Sequence, residues 1–341
     1  MNLESYCATK GGVVAAVFAV TDLLVQAKSQ APLRVRRPNH NDANARALPD
    51  VDNGFAGYFV VAFVDLLGTD AKNDEIKAQS EFPSQMLELE VAKVKVFQHD
   101  FYAIFEGAAR TEKKLKPLRP ENLKAAFKTL QGNEVNSYAF SDSLIFYASL
   151  STQQDRLVPV ASCFSMLGAL ACAQLWSLAR GCPFRGGVEV GRAAQFSGNQ
   201  LLVPALSDAV KLEKQAQFPR IIVGKEFCKY VELNSKLPLD TPESRANRKF
   251  AELCKDHVCE SDEPSQFHEP DETSGEQTRV FSLDVHSDIV AKLIGEPHQD
   301  LLNKARNFAN REIQRFSGHD EKLAWRYHNL LNYLRGDCSS Q

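Results

Sequence analysis

The chain has 341 residues, of which 44% are hydrophobic, enough to bury the core of one large domain or of one domain with additions. Its formal net charge of −3 argues against the strongly basic surface typical of nucleic-acid-binding domains, so we expect no nucleic-acid partner. The eight cysteines are scattered without repeated pairs, which is typical of reduced thiols, and we expect a cytoplasmic protein.

The first 53 residues are predicted to form a helix and a linker. Residues 11–25 are apolar except for Thr21 and Asp22, and this run is shorter than the roughly 20 apolar residues that a membrane-spanning helix needs. No clear small-residue cleavage site follows it, which argues against a secretory signal. We therefore expect no membrane span, but a helix over 1–30 that packs on the domain or on a partner protomer, followed by a polar linker.

Two buried-looking segments each carry one carboxylate. Residues 58–68 and 138–147 are apolar, aromatic and β-branched, as buried strands are, yet they contain Asp65 and Asp142. A buried charge is costly unless it is paired or holds a metal. Because Mg²⁺ is commonly held by one or two carboxylates together with substrate phosphates, the segments predict a nucleotide site with two divalent cations, Mg²⁺ or Mn²⁺. The plain alternative is that both residues belong to turns, where Asp is common.

The other elements are predicted from apolar periodicity and from the positions of Pro and Gly. In chain order they are helices over 83–109, 122–130 and 158–180, strands over 184–191 and 193–203, a helix over 205–215, strands over 220–224 and 279–285, and helices within 287–334. Residues 232–278 are polar and acidic with four prolines, and we expect an exposed, partly disordered insertion there. The order indicates an α+β fold, a ferredoxin-like βαββαβ palm with added N- and C-terminal helices. Its main domain spans residues 54–286, and 287–341 form a helical extension.

Four residues in or near this insertion could be grouped as a zinc site. They are Cys254, His257, Cys259 and His268. They lack the paired CxxC spacing of zinc-binding motifs and lie in a polar, acidic stretch. We therefore favour ordinary reduced thiols at these cysteines.

Four sequence blocks follow one another in the order of one enzyme family. They are Phe63–Gly68 at the end of a strand, Ser141-Asp142 in a hairpin, Arg185-Gly186-Gly187 in a strand ending at Gly191, and a helix with Ser207 and Lys211 that leads to Arg220-Ile221-Ile222-Val223. On these blocks the chain resembles the class III nucleotidyl cyclase catalytic domain over residues 56–225 and 279–285. Within that family it looks most like the bacterial uridylate/cytidylate cyclases of the Pycsar anti-phage systems. The 77-residue separation of Asp65 and Asp142 is longer than usual and implies an insertion or a longer first helix.

The resemblance implies roles for the residues in these blocks. Asp65, Asp142 and the Leu66 carbonyl would hold the two metal ions, and Arg185 would contact the triphosphate. The phosphates would also bind the backbone amides of the turn after the strand, which belong to Leu66, Leu67, Gly68 and Thr69. The plain alternatives are a turn glycine at Gly68 and a surface arginine at Arg185.

Two helix positions depart from the family pattern. Ser207 and Lys211 stand where purine cyclases carry an asparagine and an arginine that orient the ribose and stabilise the transition state. Ser207 can still form a hydrogen bond, and Lys211 keeps the charge but loses the bidentate geometry of arginine. Alternatively, Lys211 and Glu213 form a solvated helix face.

The base-reading positions also differ. Tyr138 stands where adenylyl cyclases carry a lysine, and Gln200 where they carry the aspartate that reads adenine. Tyr138 could stack on a base, and Gln200 offers a donor and an acceptor, which favours a pyrimidine nucleotide over ATP or GTP. As an ordinary strand residue, Tyr138 would instead pack its ring. The hairpin has Ser141 in place of the family's glycine, and serine lacks glycine's freedom at positive φ, so we expect a different turn.

In this family one protomer supplies the metal ligands and the other the base and ribose contacts, which implies a head-to-tail homodimer with composite sites. One chain would contribute Asp65, Asp142 and Arg185, and the other Tyr138, Gln200, Ser207 and Lys211. The resemblance predicts a cyclase that makes cUMP or cCMP from UTP or CTP for a separate effector that it does not contact directly. Three alternatives stay open, namely an inactive nucleotide-binding sensor, a purine cyclase and a palm-domain polymerase that makes oligonucleotides.

Overall fold

The computed structural model describes residues 55–67, 84–109, 135–150, 160–196, 200–202, 204–263 and 278–336. Their strands are β1 (Phe55–Leu66), β2 (Asn136–Phe140), β3 (Ser143–Ser149), β4 (Phe184–Phe196), β5 (Gln200–Leu202), β6 (Ile221–Val223), β7 (Val258–Glu263) and β8 (Thr278–Leu283). Their helices are α1 (Ser84–Ala109), α2 (Ala161–Ala179), α3 (Pro204–Gln215), α4 (Lys225–Ser235), α5 (Pro242–Lys255), α6 (Asp288–Ile294), α7 (His298–Phe316) and α8 (Glu321–Tyr333). The predicted helices over 1–30 and 122–130 lie outside the described residues.

The strands form one mixed sheet in the order β2-β3-β1-β4-β6-β8-β7, with β5 paired to β4. Strands β1 to β4, with α1 after β1 and α2 after β3, make a βαββαβ unit in which every neighbouring pair is antiparallel. This strand order defines the ferredoxin-like arrangement and confirms the predicted α+β palm. Strand β6 then joins β4 in parallel, and β8 and β7 extend the sheet in antiparallel fashion.

One face of the sheet is covered by α1 and α2. Alternate residues of β1, among them Val60, Ala62 and Val64, point to this face and are fully buried. Helix α2 is buried on most sides because its residues are largely Ala, Leu and Cys. It is long and apolar enough to cross a membrane by length and composition, but 89% of its apolar window is buried inside the structure, as in a core helix. Helix α7 packs on α2, so the C-terminal helices share this core.

The opposite face is covered over β1 and β4 by α3. Ala205 and Ala209 of this helix pack on Phe59 and Val61 of β1. The helix approaches β4 so closely that a Cβ at Gly187 would lie 2.2 Å from the Ala209 carbonyl oxygen. Position 187 therefore requires glycine, and this contact fixes α3 over the start of β4.

Residues 232–263 are folded, which corrects the predicted exposed, partly disordered insertion. Helix α5 buries Ala246, Phe250 and Cys254, which recur every fourth residue and so lie on one face. Pro242 stands in its first turn, and the Thr241 side chain accepts a hydrogen bond from the Ser244 amide at 3.1 Å. Proline and threonine here start a helix rather than break structure. Residues 264–277 lie outside the described part of the chain.

A second correction concerns the strands predicted over 184–191 and 193–203. The structure has one 13-residue strand, β4, followed by the short β5. Gly191 resembles a strand end in the sequence, but it lies within β4, where a Cβ would be 3.0 Å from the Ala205 Cβ. The glycine makes room for α3 and does not end the strand.

Candidate active site

The carboxyl end of β1 lies at one edge of the sheet, beside the first residues of β3 and β4. Four residues are partners across β2, β3, β1 and β4 at this edge, and because directly opposed residues share a face, they form a row on the α3 side of the sheet. The row consists, in order, of Phe140, Ser143, Asp65 and Arg185. We call it the carboxylate row.

Asp65 is oriented by its neighbour in the row. The Ser143 hydroxyl donates a hydrogen bond of 2.6 Å to Asp65 Oδ1. A hydrogen bond to a charged acceptor is stronger than one between neutral groups, and this one fixes the carboxylate at the strand end. Asp65 is partly buried and Ser143 is buried, so the bond is shielded from water on the sheet side.

Asp142 lies in the turn between β2 and β3, next to the end of β1. The Leu66 amide donates to the Asp142 carbonyl at 3.3 Å, which ties this turn to the residue after Asp65. Ser141 has φ of 54°, the left-handed conformation that glycine adopts more easily. Serine here adopts a positive φ without a glycine, and the expected difference from the family's turn stays a prediction. The structure thus brings together Asp65, Leu66 and Asp142.

The amides of Leu66 and Leu67 are already used within the fold. Leu66 donates to Asp142 as described, and the Leu67 amide donates to the Pro183 carbonyl at 3.0 Å. Each amide carries one hydrogen, which argues against the predicted phosphate contacts of these two amides in this conformation, and the contacts stay predictions. Gly68 and Thr69 lie outside the described residues, and their predicted contacts stay predictions.

Arg185 is held by a helix residue for which the sequence predicted no role in the site. Its Nε donates to Glu213 Oε1 of α3, and the Glu213 side chain is only 4% exposed against 24% for Arg185. Burial raises the pKa of Glu213, the Arg185 guanidinium opposes this rise, and the nearby Asp65 carboxylate adds to it. Asp65, Arg185 and Glu213 therefore form one interacting charge cluster, and the expectation that Glu213 lies on a solvated face is wrong.

Next to the carboxylate row lies an apolar strip of the same face. The strip lies two residues further along each strand than the carboxylate row. It consists of the cross-strand partners Tyr138 of β2, Ile145 of β3 and Phe63 of β1. Tyr138 is 52% exposed and Phe140 is 67% exposed, while Ile145 and Phe63 are partly buried. Ile145 and Phe63 pack against the apolar cluster that Ala205 and Ala209 of α3 form with β1. Tyr138 thus presents an accessible ring on the face that carries Asp65.

Ser207 and Lys211 lie on the outer surface of α3. Both are exposed, and Lys211 Nζ donates to Asp208 Oδ1 at 2.8 Å. Since Lys211 and Glu213 are two residues apart, they project about 200° apart around the helix, so Lys211 points away from the sheet that Glu213 faces. Gln200 opens β5 opposite Phe196, and only its backbone is described. The structure therefore does not bring these residues to Asp65 within one chain.

Sequence reasoning missed Ser143 and Glu213. Ser143 was visible as the first residue after Asp142, but its role needed the β1–β3 register. Glu213 carried a clearer signal, because Ala205, Ala209 and Glu213 are spaced by four residues and share the face of α3 that packs on the sheet. A carboxylate at the end of a stripe of small, buried residues indicates a buried ion pair.

The donor chemistry of this edge fits Mg²⁺ or Mn²⁺. Asp65, Asp142 and the Leu66 carbonyl supply oxygen ligands, which these hard cations prefer. Within the described ranges no group of three or more His, Cys, Asp and Glu side chains could hold an ion alone, so substrate phosphates would have to complete the coordination. Of the grouped zinc candidates, Cys254 and His257 are fully buried, and His268 lies outside the described residues.

No family model matches the chain, and no curated protein matches it. Among solved structures it is similar to the catalytic core of a rhodopsin-guanylyl cyclase with converted specificity in complex with ATPαS, at 10% identity and a TM-score of 0.32 over 67% of this chain and 97% of that one. It is also similar to a class III adenylyl cyclase-like ATP-binding protein from Pseudomonas aeruginosa, at 17% identity and a TM-score of 0.33 over 59% and 41%. A bacterial light-regulated adenylyl cyclase matches at 11% identity and a TM-score of 0.31 over 86% and 69%. The ferredoxin-like fold is assigned from the strand order and not from these matches.

Proposed function

We propose that the chain is a nucleotidyl cyclase that converts a nucleoside triphosphate to the 3′,5′-cyclic monophosphate and pyrophosphate. The observation that carries the proposal is the juxtaposition of Asp65 and Asp142 at one sheet edge, with Arg185 beside Asp65 in the carboxylate row. Two carboxylates and an arginine on a rigid strand end suit a phosphoryl transfer, which needs positioning and charge neutralisation more than covalent catalysis.

Each residue of the site has a task in this reaction. Asp65, Asp142 and the Leu66 carbonyl would hold two divalent cations, which when bound would lower the pKa of the ribose 3′-hydroxyl and neutralise the triphosphate. Ser143 keeps the Asp65 carboxylate in one orientation. Arg185 would offer positive charge to the phosphate oxygens. Helix α3, whose Glu213 binds Arg185, is held on β4 by its tight packing against Gly187.

We propose UTP or CTP as the substrate, with cUMP or cCMP as the product and a separate effector as its receptor in anti-phage defence. The exposed Tyr138 ring on the Asp65 face could stack on a base. Gln200 would read the edge of a uracil or cytosine with its donor and acceptor. Neither residue offers the charges with which adenylyl cyclases are expected to read adenine.

We propose a homodimer with composite sites. The outward position of Ser207 and Lys211 supports it, because on α3 they point away from their own carboxylate row. A mixture of Asp65→Asn and Lys211→Ala chains tests this. Each variant alone should be inactive, while the mixture should regain up to about a quarter of the activity, because half of randomly assorted dimers hold one intact site of two. No recovery in confirmed mixed dimers would place both residues in one chain's site.

The second candidate is a nucleotide-binding sensor without turnover. It is favoured by the surface pair of Lys211 and Asp208, since a lysine paired with its own helix is a weak substitute for a bidentate arginine.

Incubation with ATP, GTP, CTP and UTP, each with Mn²⁺, and mass spectrometry of the products separates the candidates. We expect a cyclic monophosphate from UTP or CTP. A cyclic purine nucleotide would keep the cyclase and overturn the pyrimidine preference. Metal-dependent binding without product would select the sensor, and oligonucleotides would select a polymerase.

A further inference from the structure

Glu213 is a buried carboxylate at the end of α3 that nothing in the proposed reaction has yet required. It follows Ala205 and Ala209 at intervals of four residues, on the helix face that packs against β4. A Cβ at Gly187 would lie 2.9 Å from the Glu213 amide nitrogen, so the backbone of this residue rests on the strand itself. The position of its side chain is therefore set by packing and not by a flexible surface.

The carboxylate contacts Arg185 through the Nε atom. Arg185 is the partner of Asp65 across β1 and β4, which places the guanidinium beside the proposed metal ligand. Arginine carries five N–H donors in one plane. The bond to Glu213 uses the N–H at Nε. The two terminal amino groups then remain to bind two phosphate oxygens in a bidentate manner.

Stability alone does not account for Glu213. Removing a carboxylate from water is expensive, and buried ion pairs are often no more stabilising than apolar residues of similar volume. The neighbouring Asp65 adds repulsion to this cost. The geometry of the pair instead indicates control of the guanidinium.

We infer that Glu213 is a positioning residue that holds Arg185 through Nε, so that its terminal amino groups face the polyphosphate of a nucleotide bound at Asp65 and Asp142. The inference rests on the proposed function, because the ligand it names is the triphosphate of that substrate. It assigns to Glu213 no contact with the substrate. Loss of Glu213 would leave Arg185 charged but free to adopt other rotamers, which weakens phosphate binding without removing the metal ligands.

Binding of inorganic tripolyphosphate in the presence of Mg²⁺, measured by calorimetry on the whole chain, tests the inference without requiring catalysis. Glu213→Gln keeps the shape of the side chain and removes its charge, and we expect it to weaken binding about tenfold, the effect typical of losing an outer partner of a ligand-binding group. Arg185→Lys should weaken binding at least as much. The double variant should be no weaker than Arg185→Lys, because both changes act through one guanidinium.

Glu189→Gln is the matched control. Glu189 is also a buried carboxylate and belongs to β4 itself, but its partners are the Val190 and Phe227 amides and not Arg185. It should bind tripolyphosphate as the unaltered chain does. Thermal unfolding of all variants separates positioning from folding. Glu213→Gln leaves the Arg185 charge without its carboxylate, so we expect it to unfold at a lower temperature than the unaltered chain but to be fully folded at the temperature of the binding assay.

The inference is overturned if Glu213→Gln binds tripolyphosphate normally while Arg185→Lys does not, or if its loss of affinity matches a loss of folded protein. It is also overturned if the unaltered chain binds no tripolyphosphate. Glu213-dependent binding by a chain that forms no cyclic nucleotide would uphold the inference and remove the proposed function. If the unaltered chain forms a cyclic nucleotide while Glu213→Gln binds tripolyphosphate normally, the proposed function is upheld and the inference is removed.

Discussion

The Ser143 hydroxyl donates a 2.6 Å hydrogen bond to Asp65 Oδ1 across the β1–β3 pair. The bond links the strand end that carries one proposed metal ligand to the turn that carries the other, because Ser143 directly follows Asp142. The segment that carries Asp142 therefore also orients the Asp65 carboxylate. Outer partners of this kind commonly matter for metal affinity almost as much as the ligands themselves.

Ser143→Ala should weaken Mn²⁺ binding about tenfold, because the Asp65 carboxylate loses the donor that fixes its orientation. Electron paramagnetic resonance titration of free Mn²⁺ with the protein and a nucleotide measures the affinity. Ser235→Ala serves as the control, since it removes a hydroxyl that donates to the Glu232 carbonyl on the surface of α4. Unchanged affinity in Ser143→Ala would show that Asp65 is oriented by other contacts.

Ser141→Gly should leave the protein as stable or raise the free energy of unfolding by up to about 1 kcal/mol. Ser141 holds φ of 54°, a conformation that costs a non-glycine residue about 1–2 kcal/mol, while glycine adds a smaller entropy loss on folding. Ser141→Val should lose at least 1 kcal/mol, roughly, since a β-branched residue tolerates this conformation poorly. Urea unfolding compares the three proteins, and equal stability of the glycine and valine variants would contradict the assigned turn.

The buried Glu189 should lower the free energy of unfolding as the pH rises. Its carboxylate accepts hydrogen bonds from the Val190 and Phe227 amides at 2.9 and 2.7 Å and so caps the start of α4. Burial raises the pKa of Glu189, so the folded state holds this proton more tightly than the unfolded state does. The stability that comes from this proton is fully present below the pKa of 4.5 in the unfolded state. It is lost as the pH rises through the higher pKa of Glu189 in the folded state.

Glu189→Gln should remove this pH dependence and retain an acceptor, whereas Glu189→Leu should lose about 2 kcal/mol, because two buried amides lose their partner. Urea unfolding from pH 4 to pH 8 measures both effects. As the pH rises, the free energy of unfolding of the unaltered chain should fall relative to that of Glu189→Gln. The opposite slope would contradict the burial of this carboxylate.

His257 should make the fold sensitive to acid. It is fully buried against the Phe164 ring, and neither of its ring nitrogens has a hydrogen-bond partner within the described ranges. Burial lowers its pKa from 6.5 to about 4, so the unfolded state binds the proton first and stability is lost as the pH falls from 6.5 toward 4. The loss is on the order of 3 kcal/mol.

His257→Leu should be as stable as the unaltered chain at pH 7, or more stable, and should lose this acid sensitivity. His298→Leu is the control, because the buried His298 bonds through Nε2 to the Val285 carbonyl at 2.9 Å, and its loss should destabilise the protein at pH 7. Thermal unfolding between pH 4 and pH 7 reports both. A steep acid loss that persists in His257→Leu would assign it to other groups.

The sequence was sufficient to predict the palm and the location of its carboxylates, because apolar strand runs and their order are local signals. It was insufficient for the partners of those carboxylates. Ser143 and Arg185 meet Asp65 only through the register of β3 and β4 with β1, which depends on pairings far apart in the chain. Glu213 was obscured by its charge, which suggests a solvated face unless the spacing of the small residues before it is considered.

Polar composition misled the prediction for residues 232–263. Asn247 shows why, because this buried amide accepts from the Val160 backbone at 2.8 Å and donates to Asn234 at 3.0 Å. Composition alone predicts that a polar residue is exposed, although such a residue can be buried when its hydrogen bonds are satisfied inside the fold. The periodic face of α5 was the better signal, and Pro242 marked its first turn.

The most direct test of the proposed site compares cyclic nucleotide formation by the unaltered chain, Asp65→Asn and Asp142→Asn, each shown to be folded by thermal unfolding. Nucleoside triphosphates with Mn²⁺ are the substrates, and mass spectrometry identifies the product. We predict a cyclic monophosphate from the unaltered chain and a loss of at least about 1,000-fold in both variants, because the cations lose a carboxylate ligand. Equal product from a folded Asp65→Asn chain would contradict catalysis at this sheet edge.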